Sequence, residues 1–223
     1  MILGKIVTRF VLRIRKLMSR FGLGPGKRLS LVEALGTNIS FDRLHLGCGN
    51  IHISNWCNVD VIATGATDLV LDISSLPGLG ESTSSKIYSC HVLEHFPTAD
   101  IPKILRRWFE VLLPGGELRI SVPDLDAITR IYQRNLAHFQ VPGNQPWIAL
   151  IYGGQKDIFD FHKTGFNFCW LKYLLEEVGF VEVSTYPNAP HFIEGVIDNS
   201  LANKPFGEFI SLNVVAKRPS LPN

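Results

Sequence analysis

The chain has 223 residues, of which 46% are apolar, so it is long enough for one globular domain with a full core and leaves little room for a second. Its 22 basic and 20 acidic residues give a net charge of +2, which is not typical of a nucleic-acid-binding protein or of one with an acidic tail. The four cysteines form no C-x-x-C pair, which argues against a disulfide scaffold and indicates a reducing compartment. No stretch approaches the roughly 18 apolar residues that predict a membrane-spanning helix.

The charge is unevenly distributed along the chain. Residues 1–32 contain eight basic residues and no acidic residue, whereas the remainder contains 14 basic and 20 acidic residues. Apolar side chains recur every three or four residues in the first segment, which predicts a basic amphipathic helix over residues 2–21, within an arm and glycine-proline hinge that span residues 1–30. Three interpretations stay open: binding to an anionic membrane surface, packing against the domain or a second copy, and an organelle presequence. The first is favoured and predicts a cytoplasmic protein that is peripheral at the membrane.

From residue 43 onward, short β-rich runs alternate with helical patterns. Strands are predicted at residues 43–46, 56–61, 68–72, 86–90, 117–122, 180–185 and 211–217. Helices are predicted at residues 100–113, 124–138 and 169–178. The pattern predicts an α/β domain over residues 38–218 with a doubly wound, mostly parallel, seven-stranded sheet. No helix separates the last two strands, which favours an antiparallel last strand.

Residues 139–168 interrupt this alternation with aromatic side chains set among glycines and prolines. Two interpretations stay open for this segment. It forms either a cap over a substrate pocket or a satellite hydrophobic core beneath a long connection.

A glycine-rich turn and two acidic residues suggest a nucleoside site. Residues 44–50, LHLGCGN, have the form of a buried strand that runs into a turn whose backbone N–H groups are accessible to a ligand. Asp60 and Asp72 end the next two strands, where one carboxylate can accept ribose hydroxyls and the other an adenine amino group. The third glycine of the dinucleotide fingerprint is absent, because position 52 is His, which disfavours a nicotinamide or flavin enzyme.

The order of these residues and of later motifs resembles that of the class I S-adenosylmethionine-dependent methyltransferases. The resemblance rests on residues 47–50, Asp60, Asp72, residues 90–96 (CHVLEHF), residues 113–120 (LPGGELRI) and residues 211–217 (SLNVVAK). Within that superfamily the chain most resembles small predicted methyltransferases with a strand-end Pro-Asp-Leu-Asp and a late Gly-Gly-Gln followed by FHKTGF, whose relatives often accompany polysaccharide and glycosylation enzymes. The resemblance implies a Rossmann-like sheet and S-adenosyl-L-methionine as cofactor.

The resemblance also assigns roles to individual residues. It implies that the cofactor is bound by residues that lie in or directly after the first four strands. These residues are His45, Gly47, Cys48, Gly49, Asn50, Asp60, Val61, Asp72, Ile73, Cys90 and His91. His45 stands where the superfamily usually has an acid, and the stretch between Gly49 and Asp60 is too short for the usual full helix.

Methyl transfer to a hydroxyl requires removal of a proton, which predicts a general base near the donor methyl. The candidates are Asp124, His162 and His95, although Asp124 is equally suited to cap the helix that follows Pro123. The leading hypothesis is therefore O-methylation of a small-molecule or glycan-type acceptor, with no metal ion and no nucleic acid involved. Oligomeric state is not predicted.

Two alternatives stay open. His45 and the missing helix motivate a cofactor-fold module that binds a partner or membrane without turnover. His91, Glu94 and His95 match the H-x-x-E-H pattern of a zinc hydrolase, with Glu176, Glu177 and Glu194 as candidate third ligands.

Overall fold

The computed structural model describes residues 39–139, 146–187, 193, 196–203 and 207–220. The predicted amphipathic helix over residues 2–21 and its whole hinge lie outside this part of the chain, and so do residues 140–145 of the aromatic segment. Within the described residues, no helix is both long enough and apolar enough to span a bilayer.

The described strands form one sheet of seven strands. In chain order they are β1 (Arg43–Leu46), β2 (Cys57–Asp60), β3 (Leu69–Val70), β4 (Ser84–Cys90), β5 (Leu112–Pro123), β6 (Val181–Thr185) and β7 (Ser211–Lys217). Their order in the sheet is β3-β2-β1-β4-β5-β7-β6. β1 to β5 all run parallel to one another, whereas β7 runs antiparallel to both of its neighbours, β5 and β6. The prediction of a mostly parallel sheet with an antiparallel last strand is confirmed.

Five α-helices occur in the described residues. They are α1 (Ile101–Val111), α2 (Leu125–Arg134), α3 (Leu136–Phe139), α4 (Pro146–Tyr152) and α5 (Phe168–Val178). The clearest is α1, in which apolar residues at helical spacing, including Leu105 and Trp108, are buried. The Trp108 indole N–H donates to the carbonyl of Ile73 at 2.8 Å, so burying this side chain leaves no polar group without a partner.

The end of α1 differs from the prediction. The helix ends at Val111 and β5 begins at once with Leu112, so the Pro-Gly-Gly sequence lies inside the strand instead of before it. At this junction the Arg218 guanidinium donates to the carbonyls of Phe109, Glu110 and Leu112 at 3.2, 3.1 and 2.6 Å. These bonds stabilise the end of the helix and the start of the strand.

The connection from β1 to β2 contains turns and no helix, as its length predicts. β1 and β2 pair in parallel, and Leu44 lies opposite Cys57. The glycine turn therefore lies at the carboxyl edge of the sheet, close to the chain segments that follow β2 and β4. In open α/β sheets this is the edge at which ligands bind.

Candidate active site

The glycine turn after β1 is held closely against two other segments. The N–H groups of Gly47 and Cys48 donate to the carbonyl of Val59 at 2.8 and 3.2 Å. Gly47 has a φ of 73°, and a Cβ atom there would lie 2.2 Å from Cγ2 of Val92. No side chain fits at this position, because it would overlap the segment that follows β4. At Gly49, by contrast, no described atom lies within 4 Å of the place where a Cβ would stand.

Asp60 joins the turn to the end of β2. Its Oδ2 accepts a hydrogen bond from the N–H of Gly49 at 2.8 Å, and its Oδ1 accepts one from the N–H of Ile62 at 2.9 Å. A carboxylate has about four acceptor positions, so these bonds leave capacity for the two hydroxyls of a ribose. Val61 and Ile62 are 45% and 43% exposed beside it and present an apolar surface.

Asp72 lies after β3 and closes a tight turn. It accepts hydrogen bonds from the N–H and Oγ of Ser74 at 2.9 and 2.6 Å and from Oγ of Ser75 at 2.8 Å. Burial raises the pKa of this carboxyl, but the bonds from the two serines outweigh burial and bring the pKa below its ordinary value. The neighbouring Ile73 is buried. The adenine-binding roles of Asp72 and Ile73 stay predictions.

His45 lies in a buried polar network beneath the turn. Its side chain is 2% exposed, and its Nδ1 lies 3.0 Å from Oδ1 of Asn58. The ring also stacks on Tyr88, whose hydroxyl donates to Asp198 at 2.5 Å. Burial lowers the pKa of His45 and keeps it neutral. Its predicted contact with a cofactor stays a prediction.

The other residues predicted around the turn differ in exposure. Cys48 is buried with its Sγ 3.6 Å from Oγ1 of Thr67, and burial raises the pKa of its thiol. Asn50 is exposed. Cys90, at the end of β4, is half-buried, and burial raises the pKa of its thiol too. Neither cysteine is therefore an activated nucleophile.

His91 follows β4 with a φ of 54°, a conformation that non-glycine residues adopt at a cost of about 1 kcal/mol or more. Its Nε2 lies 2.8 Å from Oγ of Ser211, and that hydroxyl donates to the carbonyl of Asn199 at 2.6 Å. The imidazole is therefore the donor to Ser211, and Nδ1 has a free lone pair that lies 3.5 Å from Oε1 of Glu94. Burial lowers the pKa of His91 to about 4.

Glu94, His95 and His162 form a group, called here the histidine group. One potential ligand atom from each of them lies within 4.8 Å of those of the other two. The rings of His95 and His162 are edge to face, with centroids 5.1 Å apart. The Glu94 side chain is buried at 1% exposure, and neither carboxylate oxygen has a hydrogen-bond partner among the described residues. Burial raises the pKa of Glu94 to about 8 and lowers the pKa of both histidines.

The segment that carries His162 is fixed to the segment after β4. The N–H groups of Lys163 and Thr164 both donate to the backbone carbonyl of Glu94, at 2.6 and 3.2 Å. His95 Nδ1 donates to the carbonyl of Phe161 at 3.2 Å. These contacts join residues that are far apart in sequence, and they bring together two of the three predicted base candidates, His95 and His162.

The third candidate, Asp124, is not a member of the histidine group. It is the N-cap of α2, and its Oδ1 accepts a hydrogen bond from the N–H of Asp126 at 3.0 Å. This is the structural role that the sequence left open for it, and its catalytic role stays a prediction. Glu94 is the residue that the leading hypothesis missed, although the H-x-x-E-H pattern pointed to it. Of the third zinc ligands considered with that pattern, Glu176 and Glu177 are outside the group, and Glu194 lies outside the described residues.

A cavity of about 250 Å³ adjoins His162. It is lined mainly by apolar side chains, from residues after β5, from α4 and from the segment after it: Pro123, Leu125, Ile128, Leu150, Ile151, Tyr152, His162, Lys163, Thr164 and Gly165. Leu150 and Ile151 also pack against the buried cluster of Ile128, Ile131 and Ile210. The described part of the aromatic segment therefore contributes to a satellite core and also lines a cavity, and its role as a cap over a substrate stays a prediction.

A larger cavity, of about 470 Å³, is lined by Arg43, Lys86 and other mostly polar residues. Arg43 and Lys86 lie near the amino ends of β1 and β4, away from the carboxyl edge. The smaller cavity and the glycine turn are the candidate active site, because ligands of open α/β sheets bind at the carboxyl ends of the strands.

No protein-family model matches the chain, and no curated protein is significantly similar to it. Solved structures do match. A SAM-dependent methyltransferase from Archaeoglobus fulgidus is 15% identical, with a TM-score of 0.50 over 80% of this chain and 88% of that one. A second, from Methanosarcina mazei, is 16% identical, with a TM-score of 0.51 over 86% of this chain and 100% of that one.

A third match is the 1,6-didemethyltoxoflavin-N1-methyltransferase of Burkholderia thailandensis, solved with 1,6-didemethyltoxoflavin and S-adenosylhomocysteine. It is 17% identical, with a TM-score of 0.50 over 80% of this chain and 71% of that one. At these identities the likeness concerns the fold. The sheet order and its reversed last strand agree with it, and this chain therefore has the fold of the class I S-adenosylmethionine-dependent methyltransferases.

Proposed function

We propose that this protein transfers a methyl group from S-adenosyl-L-methionine to a hydroxyl group of a small-molecule or glycan-type acceptor. The observation that carries the proposal is the contact of Gly47 with Val92. This contact places the glycine turn and Asp60 directly beside the segment that carries His91 and the histidine group. A nucleoside-type site and a group suited to handle a proton thus adjoin at one edge of the sheet.

The residues around the glycine turn fit the cofactor. Space is open beside Gly49, and the backbone there turns at a φ of 54°. The Asp60 carboxylate retains acceptor positions for ribose hydroxyls beyond its bonds to Gly49 and Ile62. The exposed side chains of Val61 and Ile62 offer an apolar surface to a purine ring. An open turn, an acceptor and an apolar surface are what an adenine nucleoside requires.

When bound, S-adenosylmethionine supplies a methyl group on a positively charged sulfur, and transfer to oxygen breaks the carbon–sulfur bond with its electron pair left on sulfur. The chain's own residues have to orient the acceptor and promote loss of its hydroxyl proton. His95 and His162 are half-buried, and burial keeps their pKa values below the ordinary value, so they are neutral near pH 7. A neutral imidazole has a lone pair that can either accept the hydroxyl proton or bind a metal ion.

The acceptor is expected to enter the cavity that adjoins His162. Apolar side chains such as Leu125, Ile128 and Leu150 line it, whereas the polar groups are concentrated near His162 and Thr164. This arrangement favours an acceptor with one apolar face and one hydroxyl-bearing face. A location in the cytoplasm and binding of residues 2–21 to an anionic membrane surface are further predictions, supported by the sequence pattern.

Calorimetric titration with S-adenosylhomocysteine tests the cofactor site. The isosteric Asp60→Asn substitution is expected to weaken binding about ten- to a hundredfold, because charge-assisted hydrogen bonds contribute about 1.5–3 kcal/mol. Asp42→Asn is the matched control, since Asp42 is an exposed aspartate just before the opposite end of β1. Absence of binding by the wild type, or equal binding by both variants, would contradict the proposal.

Detection of methyl transfer separates an enzyme from a binding module of the same fold. Incubation with isotopically labelled cofactor and fractionated small molecules is expected to label an acceptor fraction. Cofactor binding without any transfer would favour the binding module. In that case the histidine group has no catalytic role.

A further inference from the structure

The buried side chain of Glu94 has no evident structural partner. Its carboxylate oxygens accept no hydrogen bond from the described residues, and His91 Nδ1 lies 3.5 Å from Oε1. Burying a carboxyl without a hydrogen-bond partner costs roughly several kcal/mol of free energy. Native proteins rarely retain such a group without a function. The backbone of Glu94 is well bonded to Lys163 and Thr164, so only the side chain needs an explanation.

One histidine of the group is oriented by a backbone carbonyl. His95 Nδ1 donates to the carbonyl of Phe161 at 3.2 Å, so in the neutral ring the lone pair is on Nε2. Metal-binding histidines characteristically donate one ring N–H to a carbonyl, which fixes the tautomer and turns the other nitrogen toward the metal.

The distances suit a metal ion after small side-chain rotations. The three potential ligand atoms lie within 4.8 Å of one another. Bonds of about 2.0–2.2 Å to zinc place ligand atoms about 3–4 Å apart. Two imidazoles and one carboxylate are a donor set that binds zinc and similar first-row ions, and three protein ligands leave a coordination position open.

We propose that Glu94, His95 and His162 bind a divalent transition-metal ion of the zinc type, with an open coordination position toward the adjoining cavity. The ligand set differs from the H-x-x-E-H pattern, because His162 replaces His91. The Nε2 of His91 donates to Ser211 and is not available to the ion. His162 comes from a distant segment that is held against the group by the contacts of Phe161, Lys163 and Thr164.

The role of the ion rests on the proposed function. An acceptor hydroxyl on the open position would lose its proton more readily, since a metal ion lowers the pKa of bound oxygen ligands. The proton passes to solvent, the oxygen forms its bond to the methyl carbon, and the carbon–sulfur electron pair remains on the departing thioether. In this account the histidines act through the ion and do not accept the proton themselves.

Titration of the metal-free full chain with Co²⁺ and Zn²⁺ tests the site. We expect one equivalent of Zn²⁺ by calorimetry, and a visible Co²⁺ spectrum without the near-ultraviolet sulfur band that cysteine ligands would produce. His162→Ala and Glu94→Gln are expected to weaken binding at least about a hundredfold. His52→Ala is the matched control, because His52 pairs with Asp68 outside the group.

Glu94→Gln keeps the shape of a buried side chain and removes its charge, so it is expected to fold even if His162→Ala does not. Binding that is not stoichiometric, or that is equal in Glu94→Gln and the wild type, would overturn the inference. The same variants titrated with S-adenosylhomocysteine separate the two proposals. We expect Glu94→Gln to bind S-adenosylhomocysteine normally and Asp60→Asn to bind Co²⁺ normally. A negative result at one site therefore does not prevent a test of the other.

Discussion

The glycine turn and the histidine group meet at Val92, but their polar groups are satisfied to different degrees. The turn is closed by local bonds, from Gly47 to Val59 and from Gly49 to Asp60. The histidine group contains a buried carboxyl without a hydrogen-bond partner in the described residues. In the first region the protein itself satisfies the polar groups of the backbone. In the second region a buried carboxyl lacks a partner, which a bound ligand would supply.

The two glycines of the turn provide the largest expected effect. Gly47→Ala combines a positive φ with a Cβ that would lie 2.2 Å from Val92, so we expect a loss of about 2–5 kcal/mol in the free energy of unfolding. Gly49→Ala is the matched control, because its Cβ would meet open space, and only the backbone strain of about 1–2 kcal/mol applies. Urea unfolding measures both. Equal losses would show that the turn does not pack against Val92 as described.

A smaller effect is expected from the buried network beneath the turn. Burial lowers the pKa of His45 in the folded state, so the unfolded chain binds more protons as the pH falls below about 6.5. The wild type should therefore lose stability between pH 7 and pH 5, relative to His45→Gln, by up to about 1.4 kcal/mol per pH unit. Unfolding curves at a series of pH values give this difference. A constant difference across the range would contradict a neutral buried His45.

The smallest expected effect concerns Asp124. As the N-cap of α2 it should contribute about 1 kcal/mol, and Asp124→Ala should reduce stability by that amount without changing binding of Co²⁺ or S-adenosylhomocysteine. Asp126→Ala is the control, since its side chain is exposed and should change stability by about 0.5 kcal/mol or less. If Asp124→Ala lost binding of Co²⁺ or S-adenosylhomocysteine at unchanged stability, Asp124 would instead belong to the active site.

The contrast between the two regions also explains what the sequence could predict. Gly47, Asp60 and the seven strands are signalled by local patterns, since glycine turns, strand-end acids and β-rich runs depend on neighbouring residues. The bonds of Arg218 at the end of α1 could not be predicted, because they join residues more than 100 positions apart in sequence. The role of Asp124 stayed ambiguous, because capping and catalysis favour the same residue type at that position.

The histidine group is the clearest case of a feature that only the tertiary structure assembles. His95 and His162 were predicted one by one, but their proximity depends on the bonds of Lys163 and Thr164 to Glu94. No periodic pattern in the sequence indicates such a contact. The H-x-x-E-H pattern contains Glu94 and His95, whereas the third member of the group, His162, lies outside it.

A crystal structure with S-adenosylhomocysteine and Co²⁺ tests most directly the claim that the two regions form one active site. The account predicts ribose hydroxyls on the Asp60 carboxylate, the thioether sulfur on the side of His91, and the ion bound by Glu94, His95 and His162. S-adenosylhomocysteine bound away from the glycine turn, or with its sulfur facing away from the histidine group, would contradict it.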